Sequence, residues 1–131
     1  MKLEAKTEED IQVVTVLAER IDSAIAIRFK DEMRAATADG PDRVVLDLSH
    51  VQFVDSSGLG AIVAAMKYLS PARKLDLAGL TPEVDKVFRL TRMDTVFGIH
   101  TSAEAAMAQN QASTRASIRA STRASAQPGA Q

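Results

Sequence analysis

The chain has 131 residues, 46% hydrophobic but only 4% aromatic, a length that suits one domain whose single core is built from Val, Ile, Leu, Ala and Met. It has no cysteine, which excludes a disulfide framework, a thiolate metal site and a cysteine nucleophile and fits a reducing compartment. The net charge of −1 is uneven, with −4 on residues 1–110 and +3 on the remainder through Arg115, Arg119 and Arg123, and an acidic domain is a poor surface for nucleic acid.

The opening "MKLEAKTEEDIQ" is too charged for the apolar stretch of a signal peptide. No later segment approaches the ~18 continuous apolar residues of a transmembrane helix, so the expected location is the cytoplasm. Residues 2–6 suggest a weak strand, and the β-branched "VVTVL" at 13–17 a stronger one. From Asp22 the period changes. Ile25, Phe29, Met33 and Ala36 recur at helical spacing, Asp22 stands where an N-cap would, and Asp39-Gly40-Pro41 stops the helix.

"RVVLDLS" at 43–49 reads as a central strand, mostly apolar. A second helix is predicted from about Ser57 to Leu69, a strand over 73–78, and a helix after Thr81-Pro82, with Thr as cap and Pro in the first turn. "VFGIHT" gives a short last strand and 102–110 a last helix. Strands alternating with helices imply an α/β fold with a mostly parallel sheet of four or five strands, the first antiparallel, and about four helices. Residues 111–131, "QASTRASIRASTRASAQPGAQ", hold almost no large apolar side chain and are expected to form a disordered tail beyond a domain spanning 1–110. The repeated Arg-Ala-Ser triplets there could serve as basic phosphorylation sites, but a low-complexity extension of no specific role is the simpler reading.

The stretch "HVQFVDSSGLGAIV", residues 50–63, carries the chemistry. It runs from the carboxyl end of a central strand, the edge where open α/β sheets usually hold their sites, into the start of a helix. There the first amides lack intrahelical acceptors and the helix dipole is positive, so a hydroxyl or a phosphate is well placed. Capping explains one polar residue but not Asp55, Ser56 and Ser57 in succession. The helix itself shows a large apolar face of Leu59, Ile62, Val63, Met66 and Leu69, while Gly60, Ala61, Ala64 and Ala65 keep much of the rest small and uncharged. Either its own domain or a partner covers that second surface.

These residues resemble a known family. "VVLDLSHVQFVDSSGLGAIVAAMKYL" is similar to the STAS domain of the bacterial anti-sigma factor antagonists, whose hallmark is a V-x-L-D-L-S strand followed by D-S-[ST]-G-L-G. The likeness spans about residues 8–108 and includes Asp22 and the late "GLTPEVDKVFRLTRMDTVF". It implies the STAS fold and a role in partner switching. The unphosphorylated protein would bind an anti-sigma factor that is also a serine kinase, phosphorylation of Ser56 would release it, and a serine phosphatase would reverse the change. Asp22, Ser23, Asp55, Ser57, Gly58, Leu59, Gly60, Ala61 and Ala64 would flank the site or contact the partner, with Ser57 as a supporting cap or hydrogen-bond donor. The chain departs from the pattern at Glu19, where members often carry a glycine.

The alternative within the family is a non-switching interaction subunit of a signalling or transporter complex. A serine hydrolase would want G-x-S-x-G and a base. Only His50 and His100 are available, and nothing in their spacing brings them to Ser56. Neither nucleotide-binding glycine motif occurs, which leaves only weak nucleotide contact at the helix start. No metal-ligand spacing is evident. No cofactor is expected, nor direct contact with nucleic acid or membrane.

Overall fold

Val13, Val14 and Val16 favour extended backbone, and in a computed structural model of the chain, which describes residues 2–108, they lie in β2 (Ile11–Val16). A turn at Glu9 with positive φ returns the chain from β1 (Leu3–Glu8), which pairs with β2 antiparallel at the sheet edge. Parallel partners follow: β4 (Arg43–Asp47), β6 (Lys74–Ala78) and the two-residue β7 (Ile99–His100). The sheet order is β1-β2-β4-β6-β7. Two short strands, β3 (Arg20–Ile21) and β5 (Phe53–Val54), form a separate parallel ladder in the segments that follow β2 and β4.

Alternation of side chains across the strands divides the apolar residues between two faces. Val14, Val16, Val44, Leu46, Leu75 and Leu77 form the main core with Phe29 and Met33 of α1 (Ala26–Thr37), Ile62 and Leu69 of α2 (Ser56–Leu69), and Val84 and Phe88 of α3 (Pro82–Leu90). The opposite face holds a smaller cluster of Ile11, Val13, Val45 and Ala78. Ala106 packs on it from a last helix, α4, which is helical over residues 103–108. At the far end of α1, Gln12 Nε2 donates to the Ala36 carbonyl and Arg73 Nη1 to that of Thr37, so two carbonyls of the last turn find partners.

The α/β architecture and the antiparallel first strand match the sequence reading, and several details differ. The central strand ends at Asp47 rather than Ser49, and a turn at 49–50 separates it from β5. Asp22 does not cap α1. Its carboxylate turns onto the Ala24 amide, three turn residues intervene, and the helix begins at Ala26. Thr81 precedes α3 but its hydroxyl donates to the Val51 carbonyl rather than accepting from the helix. A 3₁₀ turn, Met93–Thr95, occurs where no element was predicted, and the last strand shrinks to two residues. The expected disordered segment 111–131 lies outside the described residues.

Candidate partner-binding site

Asp55 organises the start of α2. Its extended backbone makes it the N-cap, and its Oδ1 accepts from the Gly58 amide at 2.8 Å, the ordinary geometry of a carboxylate capping the third helical residue. Its other oxygen accepts from the Ser23 amide at 3.2 Å. One side chain therefore pins the helix start to the loop that precedes α1. The β3–β5 ladder supports the same junction, with Arg20 opposite Phe53 and Ile21 opposite Val54.

Gly58 shows how closely these parts approach. A Cβ there would run into the backbone carbonyl of Ile21, so the first turn of α2 lies against β3 at a distance only glycine permits. Gly60, two residues on, has open space where its Cβ would be. The glycine pair in D-S-S-G-L-G thus has two different roles, one set by packing and one not.

Because Asp55 supplies the cap, the serines are left free of it. Ser56 and Ser57 are both exposed, and among the described residues neither hydroxyl nor either backbone amide has a hydrogen-bond partner. The expected capping role of Ser57 is therefore taken by its neighbour. Of the other predicted site residues, Ser23 and Gly60 are exposed, and Asp22, Leu59 and Ala64 are half-buried. Gly58 and Ala61 face the interior of their own domain, with Ala61 only 3% exposed.

Two residues at the site were missed. Phe53 is 41% exposed, with the Arg20 guanidinium 4.3 Å above its ring. Arg20 Nε also meets Asp22 Oδ2 at 3.2 Å, so aromatic ring, cation and carboxylate stand in a row beside the β3–β5 ladder. One of only four Phe in the chain, placed between the predicted strand at 43–49 and the helix start, was the available signal. Farther along, the α1–α2 surface is bridged by Arg34 over the exposed Tyr68 at 4.7 Å.

Neither histidine approaches as a base. His50 is exposed in the turn before β5, and His100 Nε2 lies 3.0 Å from Asp76 Oδ2 on the sheet. No group of acidic or histidine side chains able to hold a metal occurs among the described residues, and no helix among them is long and apolar enough to cross a membrane. The arrangement offers an exposed hydroxyl over open helix amides, ringed by a small apolar and charged surface.

Known proteins share this arrangement of sequence and fold. The family model described as STAS domain matches residues 2–106. BtrV of Bordetella bronchiseptica, whose name places it among the anti-sigma factor antagonists, is 32% identical over 100 residues, covering 76% of this chain and 86% of that protein. The anti-sigma-B factor antagonist of Listeria monocytogenes is 26% identical over 86% of this chain and 98% of its own. The crystal structure of an anti-sigma factor antagonist from Mycobacterium paratuberculosis superposes with a TM-score of 0.74 at 25% identity, covering 82% of this chain and 92% of that one.

Proposed function

The chain belongs to the STAS domain family, and from that membership we propose that it acts by binding, as an anti-sigma factor antagonist whose grip on its partner is set by phosphorylation of Ser56. The observation that carries this reading is the division of labour at the α2 start. Asp55 caps the helix, and the Ser56 hydroxyl is exposed with no bond to a described residue. A serine needed for the fold would be engaged, whereas this one is open to a kinase.

The physics of the switch is local. A phosphate adds about −1.5 to −2 charges. Within the domain the helix N-terminus favours an anion by ~0.3–1 kcal/mol, and repulsion from Asp55 opposes it, so the fold should change little. In an interface the balance is different. Burying that charge without a matching cation costs several kcal/mol, and a loss of about 3–5 kcal/mol weakens binding by roughly two to four decades. The partner that fits is an anti-sigma factor with serine kinase activity, working in the cytoplasm, with a serine phosphatase to reset the switch.

The test combines mass spectrometry with affinity. Full-length protein is incubated with ATP and an anti-sigma kinase of its host, the modified site is mapped, and partner affinity is titrated for the unmodified, phosphorylated and Ser56→Ala forms. One phosphoryl group on Ser56, absent from Ser56→Ala and accompanied by the affinity loss above, supports the switch. Stable complexes that ignore Ser56 phosphorylation and Ser56→Asp alike would establish the non-switching interaction subunit instead.

A further inference from the structure

The first strand of the sheet has a free edge. β1 pairs with β2 on one side only and stands at the end of the order β1-β2-β4-β6-β7. The Leu17 amide donates to the Lys2 carbonyl at 2.9 Å, and the unbroken register sets Leu3 opposite Val16. Lys2 and Leu17 are therefore a hydrogen-bonded pair, and such pairs alternate along an antiparallel ladder. Glu4, Lys6 and Glu8 turn their backbone groups toward β2. Those of Leu3, Ala5 and Thr7 point outward, with no partner among the described residues. An edge of this kind is a template for a further strand.

The side chains on this edge select the partner. Residues 2–8 read Lys-Leu-Glu-Ala-Lys-Thr-Glu, so charges of alternating sign stand on every second residue and share one face. Lys2, Glu4, Lys6 and Glu8 are all exposed, and none is in an ion pair with a described residue. Charge on an edge strand ordinarily repels other strands, but this pattern is complementary to itself. Antiparallel pairing of two copies about Ala5 sets Glu4 opposite Lys6 and Lys2 opposite Glu8, each twice by symmetry. It also sets Ala5 opposite Ala5 and Leu3 opposite Thr7, the residues whose backbone groups face out, so these become the hydrogen-bonded pairs. The charged residues then occupy the other positions, where opposing side chains come closest. The smallest slip that keeps the hydrogen bonds moves one copy by two residues. In one direction it sets Glu4 against Glu4 and Lys2 against Lys6, and in the other Lys6 against Lys6 and Glu4 against Glu8. Charge and backbone therefore specify the same register.

We propose that a second copy of this chain docks on the β1 edge, joining two five-stranded sheets into one about a two-fold axis at Ala5. Main-chain hydrogen bonds supply the attachment and the Glu–Lys pairs the register. Each exposed ion pair is weak by itself, so the association depends on concentration and weakens with salt. No residue of the proposed Ser56 site belongs to β1, and the pairing sets two such sites in one assembly.

Sedimentation velocity on the full chain tests both the partner and the register. The unaltered chain should shift from monomer to dimer as its concentration rises to the order of 1 mM. Glu4→Lys and Lys6→Glu each turn two opposite-charge contacts into two like-charge ones, so either variant alone should self-associate about tenfold more weakly. Mixed in equal amounts, the two variants should pair with each other as tightly as the unaltered chain does, because every exchanged charge again meets its opposite. Ala5→Pro removes an outward N–H without touching the ladder to β2 and should abolish the dimer with the circular dichroism unchanged. Exchange of the Leu3, Ala5 and Thr7 amides should slow as the dimer forms. A chain that stays monomeric across that range, a dimer indifferent to both charge changes, or a mixture no tighter than its components would overturn the proposal.

Discussion

Asp55 and Asp76 are both carboxylates set among hydrogen-bond donors, and they finish in opposite ways. Asp55 binds two backbone amides, those of Gly58 and Ser23, and leaves the neighbouring serines facing water. Asp76, 3% exposed on the middle of β6, closes on side chains: Arg43 Nη2 of β4 at 3.1 Å and His100 Nε2 of β7 at 3.0 Å both meet its Oδ2. The first cluster fixes a backbone shape and keeps polar groups open. The second ties together strands on either side through one oxygen, while its buried Oδ1 has no hydrogen-bond partner among the described residues. A buried charge earns little net stability even when paired, so the Asp76 cluster holds a register, while the Asp55 cluster leaves the proposed phosphorylation site open.

Gly58→Ala should break the open cluster most severely. The new methyl meets a backbone carbonyl, which cannot rotate away as a side-chain tip would, so about 3 kcal/mol of stability should be lost. The control lies in the same helix, where Gly60→Ala meets nothing and should stabilise by up to ~1 kcal/mol through helix propensity. Urea midpoints of the two variants moving in the same direction would contradict the close approach of α2 to β3. Breaking the closed cluster comes next. Asp76→Ala removes two charge-assisted bonds and should cost about 2 kcal/mol while leaving partner affinity unchanged, as paired denaturation and binding titrations would show. A drop in affinity with intact folding would mean that the sheet centre communicates with the α2 start.

Asp55→Ala should cost less stability, about 1 kcal/mol for the lost cap, and more function. Without that carboxylate the loop at Ser23 is no longer pinned to the helix. Amide exchange at Ser23 and Ala24 should accelerate, and partner affinity should fall by more than the stability change alone accounts for. Unchanged exchange there would mean that the β3–β5 ladder alone sets the loop.

The order of elements was legible because its signals are periodic: an apolar alternation for strands, a 3.6-residue repeat for helices, Gly and Pro between them. The site was legible in part, since Asp55-Ser56-Ser57 announces a helix start. What could not be read lacks a period or depends on distance. Two-residue strands such as Arg20–Ile21 and Phe53–Val54 present no pattern to find, yet they pair beside the proposed site. Asp22 has the composition of a cap, but its carboxylate finds the Ala24 amide first. On α2 the predicted face of Leu59, Ile62, Val63, Met66 and Leu69 is buried at Ile62 and Leu69, but Leu59, Val63 and Met66 are only half-buried, and the small residues Gly58, Ala61 and Ala65 are buried in their place. Asp76 sits in "KLDLA" between two leucines of the main core, and nothing in that strand pattern marks it as buried. Its burial depends on His100 and Arg43, which reach it from other strands.

The smallest expected change in stability, from Ser56→Ala, discriminates best between the two clusters. If the α2 start is an open site, its serine hydroxyl contributes no internal bond, and with Asp55 still in place the cap survives the substitution. Stability should stay within about 0.5 kcal/mol of the unaltered chain, as expected for a surface position without a structural role. Ala is also a better helix former than Ser, so a slight gain is the favoured direction. The unphosphorylated-type complex should form with ordinary affinity, because a methyl group adds neither charge nor bulk. Release by the kinase and ATP should disappear, since the acceptor oxygen is gone. A destabilisation above 1 kcal/mol would place the Ser56 hydroxyl inside the fold's own hydrogen bonding. The Asp55 cluster would then be as closed as that of Asp76, and the argument for a displayed phosphorylation site would lose its structural basis.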